Sequence, residues 1–85
     1  MPELSRFYGI IVTMFFNDHE PRHFHARYGE YAVSIGIDDL RVLKGQLPPR
    51  ALSLTIEWAS IHQDDLRGAW QAVQGGSRTA IEPLR

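Results

Sequence analysis

The chain has no cysteine. That excludes disulfides and thiolate metal ligands, and it fits a reducing compartment. It has no run of about 18 apolar residues able to span a bilayer. Its start, Met1-Pro2-Glu3-Leu4-Ser5-Arg6, lacks the basic flank and apolar stretch of a secretory signal. A cytoplasmic location with no membrane association is therefore expected. Charge of one sign is lacking too: nine Lys plus Arg face ten Asp plus Glu, for a formal net charge of −1. Domains that hold nucleic acid by bulk counterion release are far more basic. Any such contact here has to be a local patch, with Arg22, Arg27, Arg41 and Lys44 as its material. Repeats, low-complexity tracts and linkers are absent, as are a phosphate-cradling glycine loop and a nucleophile elbow.

What is present suffices for one modest core. Apolar residues make up 44% of the 85 and aromatics 11%, too many for a disordered segment, so residues 1–85 are expected to form a single domain. Strand character fills the first half and helix character the second, which predicts an α+β fold with a sheet over 7–46, a helical region over 49–74 and an extended tail over 77–85. Phe7 to Phe16 is almost wholly apolar and is expected to be one strand. Tyr8, Ile10, Val12, Met14 and Phe16 would fall on one face, with Phe7, Ile11 and Phe15 on the other. A strand apolar on both sides is either covered twice or covered once and used for a homodimer.

Tyr28-Gly29-Glu30-Tyr31 has glycine where a type II′ hairpin requires it. A two-residue loop pairs Tyr28 with Tyr31, Ala26 with Val33 and Phe24 with Ile35, an apolar set that belongs to the core. The same register puts His23, His25 and Arg27 opposite Gly36, Ser34 and Ala32 on the other face, pointing away from the core above small side chains. Asp38-Asp39 reads as a turn, and Leu40 to Gly45 as a fourth, edge strand guarded by Arg41 and Lys44. Pro48-Pro49 opens a helix whose apolar stripe is Leu52, Ile56, Ala59, Leu66, Trp70 and Val73. Gln63 interrupts the stripe, so the region is one long helix or two nearly collinear ones, ended by Gly75-Gly76. Ile81 and Leu84 of the tail would dock on the body. Altogether this is a three- to four-stranded, mainly antiparallel sheet with a long C-terminal helix, bent or split near Gln63, packed on one face.

The candidate site is the stretch Asn17-Asp18-His19-Glu20-Pro21-Arg22-His23-Phe24-His25, which holds three of the four histidines. His23 and His25, two apart on a strand, project from one face, and His19 lies in the loop before them. Three imidazoles with Asp18 or Glu20 nearby suit a divalent transition metal such as zinc, which accepts nitrogen and carboxylate ligands. The same groups could instead cleave RNA without any cofactor. His19 with His23 or His25 would act as acid and base, and Arg22 and Arg27 would hold the phosphate. Histidines on an exposed strand face also occur with no role beyond tolerating solvent, and Asn17-Asp18 could simply cap a turn. His62, Trp58 and Trp70 have packing as their default, and Glu57 and Asp64-Asp65 suit a solvated helix face.

Several blocks carry a family likeness: Arg6-Phe7-Tyr8-Gly9-Ile10, Phe16-Asn17-Asp18-His19, Pro21-Arg22-His23-Phe24-His25-Ala26 and Leu47-Pro48-Pro49-Arg50-Ala51. With Glu57-Trp58-Ala59, His62, Trp70 and Ile81-Glu82-Pro83-Leu84, they resemble the bacterial domain-of-unknown-function family 4160 over nearly the whole chain. Arg22 departs from the pattern, standing where a second proline is expected. The resemblance implies a small protein of a toxin–antitoxin-type cassette with a protein partner, and it counts His19, His23 and His25 among the defining residues. From this the leading expectation is a cassette component whose histidine and arginine face binds or cleaves RNA. The alternatives are a metal-binding domain using His19, His23, His25 and Asp18, and a non-catalytic interaction module.

Overall fold

The computed structural model describes residues 3–85; Met1 and Pro2, part of the segment read above for a secretory signal, lie outside the described residues. Five strands form one antiparallel sheet in chain order: β1 Glu3–Phe7, β2 Ile10–Thr13, β3 His23–Tyr28, β4 Tyr31–Gly36 and β5 Val42–Gly45. Helices α1 Pro49–Ile61 and α2 Gln63–Gln74 follow. The class is α+β as expected, but the strand count exceeds the expected three or four.

The extra strand comes from a turn hidden inside an apolar run. Phe7 pairs with Ile10, and between them Tyr8 and Gly9 both have positive φ, 49° and 80°. That is the backbone hand of a type I′ hairpin, whose twist matches the flanking strands. Glycine accepts the conformation freely, whereas tyrosine there costs about 1–2 kcal/mol. A side chain at position 9 would also press on the Tyr28 ring, 3.2 Å from its Cβ. Phe7–Phe16 is therefore two strands and a loop, and the single two-sided strand on which the homodimer expectation rested is not formed. Ile10, Val12 and Met14 are fully buried as anticipated, but Tyr8 and Phe16 are 59% and 61% exposed.

The second hairpin has the register that the apolar pairing demands, from Tyr28 opposite Tyr31 to His23 opposite Gly36. Gly29 has φ 60° while Glu30 is not left-handed, as a type II′ turn requires. Phe24, Ala26, Val33 and Ile35 are buried beneath it. Tyr28 and Tyr31, expected in the core, are instead exposed at the hairpin tip. The fourth strand of the sequence reading is β5, and its basic Lys44 lies on the sheet edge.

Pro49 begins α1 and His62 joins α1 to α2, one residue before the expected break. The stripe is correct in α2, where Leu66, Trp70 and Val73 are buried, but displaced in α1. There Ala51, Thr55, Trp58 and Ala59 face the core, while Leu52 and Ile56 are only partly buried. Thr55 is tolerated because its hydroxyl donates to the Ala51 carbonyl at 2.8 Å. The α2 end is a Schellman motif: Gly76 N–H donates to Val73 O and Ser77 N–H to Ala72 O. Trp58 sits at the centre of the core. Its ring lies 5.5 Å from Phe7 and 5.9 Å from Phe24, and its indole N–H donates to Glu82 O at 2.8 Å. That bond and Ile81 N–H to Leu4 O dock the tail. Among the described residues, no helix is long and apolar enough to cross a membrane.

Candidate metal centre

β3 supplies two donors because a strand alternates its faces. His23 and His25 share the face opposite Phe24 and Ala26, with ring centroids 5.0 Å apart. The third donor comes from the preceding loop. Gln74, at the end of α2, grips that loop on both sides: its amide nitrogen donates to Phe15 O at 3.0 Å, and its carbonyl oxygen accepts Asn17 N–H at 2.7 Å. Asn17 takes φ 62°, a left-handed conformation that asparagine adopts more readily than most residues. Asp18 is thereby turned back over the strand. Its Oδ1 accepts the His19 N–H at 3.1 Å, and its Oδ2 lies 2.9 Å from His23 Nε2 and 3.1 Å from His25 Nε2.

The proton arithmetic of this cluster is informative. His23 Nδ1 lies 2.7 Å from the Pro21 carbonyl. A carbonyl only accepts, so Nδ1 carries the hydrogen. In a neutral ring Nε2 is then a bare lone pair lying 2.9 Å from a carboxylate oxygen. Two acceptors cannot face each other at that distance without a cation, either a proton on Nε2 or a metal ion. His25 differs: its Nδ1 lies 3.2 Å from Ser34 Oγ, a hydroxyl that can donate or accept, so Nε2 can itself carry the hydrogen and donate to Asp18 at 3.1 Å. A metal-ligating imidazole usually donates its other ring N–H to a carboxylate, a backbone carbonyl or water, as His23 does to Pro21.

One ligand atom each from Asp18, His23 and His25 lies within 4.8 Å of the others. Bonds near 2.1 Å meeting at about 90–110° put donors roughly 3.0–3.4 Å apart; the two Asp18–imidazole separations of 2.9 and 3.1 Å lie near that range, and the two imidazole nitrogens lie within 4.8 Å of each other. The site is shielded but not sealed. The side chains of His23, Asp18 and His25 are 5%, 17% and 27% exposed. Phe15 lies over His25, centroids 4.3 Å apart, and Trp70 borders His23 at 5.7 Å. Partial burial, the largest single influence on Asp18, opposes its ionisation. The His25 hydrogen bond, the His19 N–H and the two imidazole charges outweigh it and hold the carboxyl below its ordinary value.

The expected site residues therefore divide. Asp18, His23 and His25 come together, while His19 stays exposed and outside the triad, its ring 5.6 Å from His23. The expected open histidine face is met only at His25, because Trp70 and the loop cover His23. Arg22 points elsewhere: its Nε and Nη2 donate to the two oxygens of Asp38 at 3.0 and 2.8 Å. Arg27 is exposed and makes no ion pair among the described residues. Sequence reasoning treated Ser34 only as a small floor residue, although the register that set it opposite His25 already marked it. It missed Gln74, which no local signal reveals. His62 is a packing residue as expected, against Trp58 at 5.5 Å and Asp65 at 3.0 Å. A separate cleft of about 390 Å³, lined by Tyr8, Tyr28, Arg50, Leu54 and Leu84, shares no residue with the cluster.

No curated protein and no solved structure matches the chain. Residues 9–71, a span that includes all three donors, match the family described as Domain of unknown function (DUF4160), and the chain belongs to that family.

Proposed function

We propose that this protein binds a single divalent transition metal through His23 Nε2, His25 Nε2 and the Asp18 carboxylate. The observation that carries the reading is the lone pair of His23. Pro21 fixes the ring so that a proton or a metal ion has to lie between Nε2 and Asp18, and the His25 Nε2 lies 3.1 Å from the same carboxylate oxygen. Two imidazoles and a carboxylate suit zinc, iron(II), cobalt or nickel. Three protein donors leave coordination positions open, the pattern of a centre that engages a further ligand rather than a closed structural site.

The same histidines support acid–base cleavage of RNA less well. That chemistry needs two rings able to reach a phosphodiester and cations around it. His23 is buried and Arg22 is committed to Asp38.

The test is zinc and cobalt(II) titration of folded protein purified without a histidine tag, followed by calorimetry and by the cobalt visible spectrum. One equivalent is expected, lost in His23→Ala/His25→Ala. A folded wild-type chain that takes up no metal while the double variant behaves identically refutes the reading.

A further inference from the structure

Beside the proposed centre, on the sheet face away from the helices, lies a cleft of about 130 Å³ lined by Ile11, Thr13, Phe15, His25, Arg27 and Ala32. Resting on the metal reading above, we propose that this cleft binds the carboxylate of a small organic acid, with Arg27 as the residue that recognises it.

The argument begins with strand alternation. His23, His25 and Arg27 occupy successive same-face positions of β3, so the guanidinium is rooted about 6.6 Å along the strand from the second metal donor. His25 and Arg27 both border the cleft, so one ligand there meets the imidazole at one end and the guanidinium at the other. Arg27 differs from Arg6, Arg22 and Arg67, whose guanidiniums are engaged by Glu3, Asp38 and, for Arg67, both Asp38 and Asp64. A planar fork of donors without a partner matches a carboxylate edge in bidentate fashion.

The walls choose between classes of anion. Ile11, Phe15 and Ala32 offer apolar surface, and Thr13 and Arg27 are the other polar side chains lining the cleft besides His25. A phosphate dianion would call for more than one free cation, and Arg22, the second arginine expected to serve, faces Asp38 instead. A monoanion with an apolar body meets both demands. The small floor expected beneath the histidines has a use in this arrangement, since Ala32 opposite Arg27 leaves the room that a larger side chain would fill.

The test titrates benzoate, acetate and neutral benzamide into zinc-free and zinc-supplemented protein, following backbone amide shifts by NMR. The proposal expects saturable shifts at Thr13, His25 and Arg27, with benzoate tighter than acetate and benzamide silent. Arg27→Met, at an exposed strand position, should weaken benzoate at least tenfold. Arg27→Lys, which keeps charge but not the fork, should fall between. If zinc binds and benzoate does not, or binds equally well to Arg27→Met, the carboxylate site is overturned and the metal reading stands. If zinc fails to bind while Arg27-dependent benzoate binding persists, the metal reading falls and the carboxylate site stands. If neither binds, both fall.

Discussion

Two aspartates in this molecule are each gripped by two cation-forming side chains, and they do opposite things. Asp38 sits in the turn after β4, and its side chain is 52% exposed. Arg22 takes both its oxygens and Arg67 adds a third bond at 3.0 Å, while Arg67 also reaches Asp64 at 2.8 Å. Guanidiniums are permanently charged, so that network is complete as it stands. It ties the loop before β3 and helix α2 to the same turn. Asp18 meets two imidazoles instead, and both nitrogens converge on one oxygen from a shielded position. Imidazole is charged only when it holds an extra proton, and its lone pair otherwise seeks a metal. Two cation-forming side chains thus give a permanent staple at Asp38 and, at Asp18, a contact whose charge depends on a proton or on the metal proposed above.

The sharpest way to break this comparison is to delete each carboxylate. Asp18→Ala should weaken zinc binding by at least about 100-fold, more than the loss of an outer-shell partner. Asp38→Ala should leave zinc affinity unchanged. Calorimetry with a competing chelator reads both, and equal losses would erase the distinction. Next in size is Ser34→Ala, which removes the group orienting His25 and should cost about tenfold in zinc affinity with little change in fold. Gln74→Ala should cost a few-fold in zinc affinity by releasing the Asp18 loop, and faster hydrogen exchange at Asn17 would show that release directly.

The smallest effect belongs to Asp38. Hydrogen bonds from Arg22, then Arg67, hold its carboxyl below the ordinary value. A depressed carboxylate stabilises the fold at pH above its unfolded pKa of about 3.9, and that contribution fades as pH falls through the lower native value. Asp38→Asn should therefore lie slightly below wild type in Tm at pH 7, converge with it in strong acid, and show a smaller deficit in about 1 M salt.

Legibility in the sequence followed how locally each feature is encoded. The β3–β4 register was readable because Phe24, Ala26, Val33 and Ile35 must share a face, and a one-residue slip would exchange them with histidine and serine. The Tyr8–Gly9 turn was not, since an apolar run continues across it and tyrosine is an unusual occupant of a left-handed position. The α1 face was displaced by one residue because its core positions are Ala51 and Thr55, which look less apolar than their neighbours Leu52 and Ile56. At the site, alternation gave the shared face of His23 and His25. The sequence reading named both His19 and Asp18 beside that pair, and only Asp18 joins it, because the outcome depends on a loop geometry that α2 helps impose.

That clamp by the last helix has a consequence for how the protein is made. Asp18 is translated early, but the amide that holds its loop belongs to Gln74, 57 residues beyond Asn17. On the ribosome, where N-terminal segments emerge first, a chain still short of Gln74 lacks the two hydrogen bonds that fix the loop carrying Asp18. Affinity for the proposed ion should therefore rise, by the few-fold that the Gln74 contact supplies, once α2 has been made and docked.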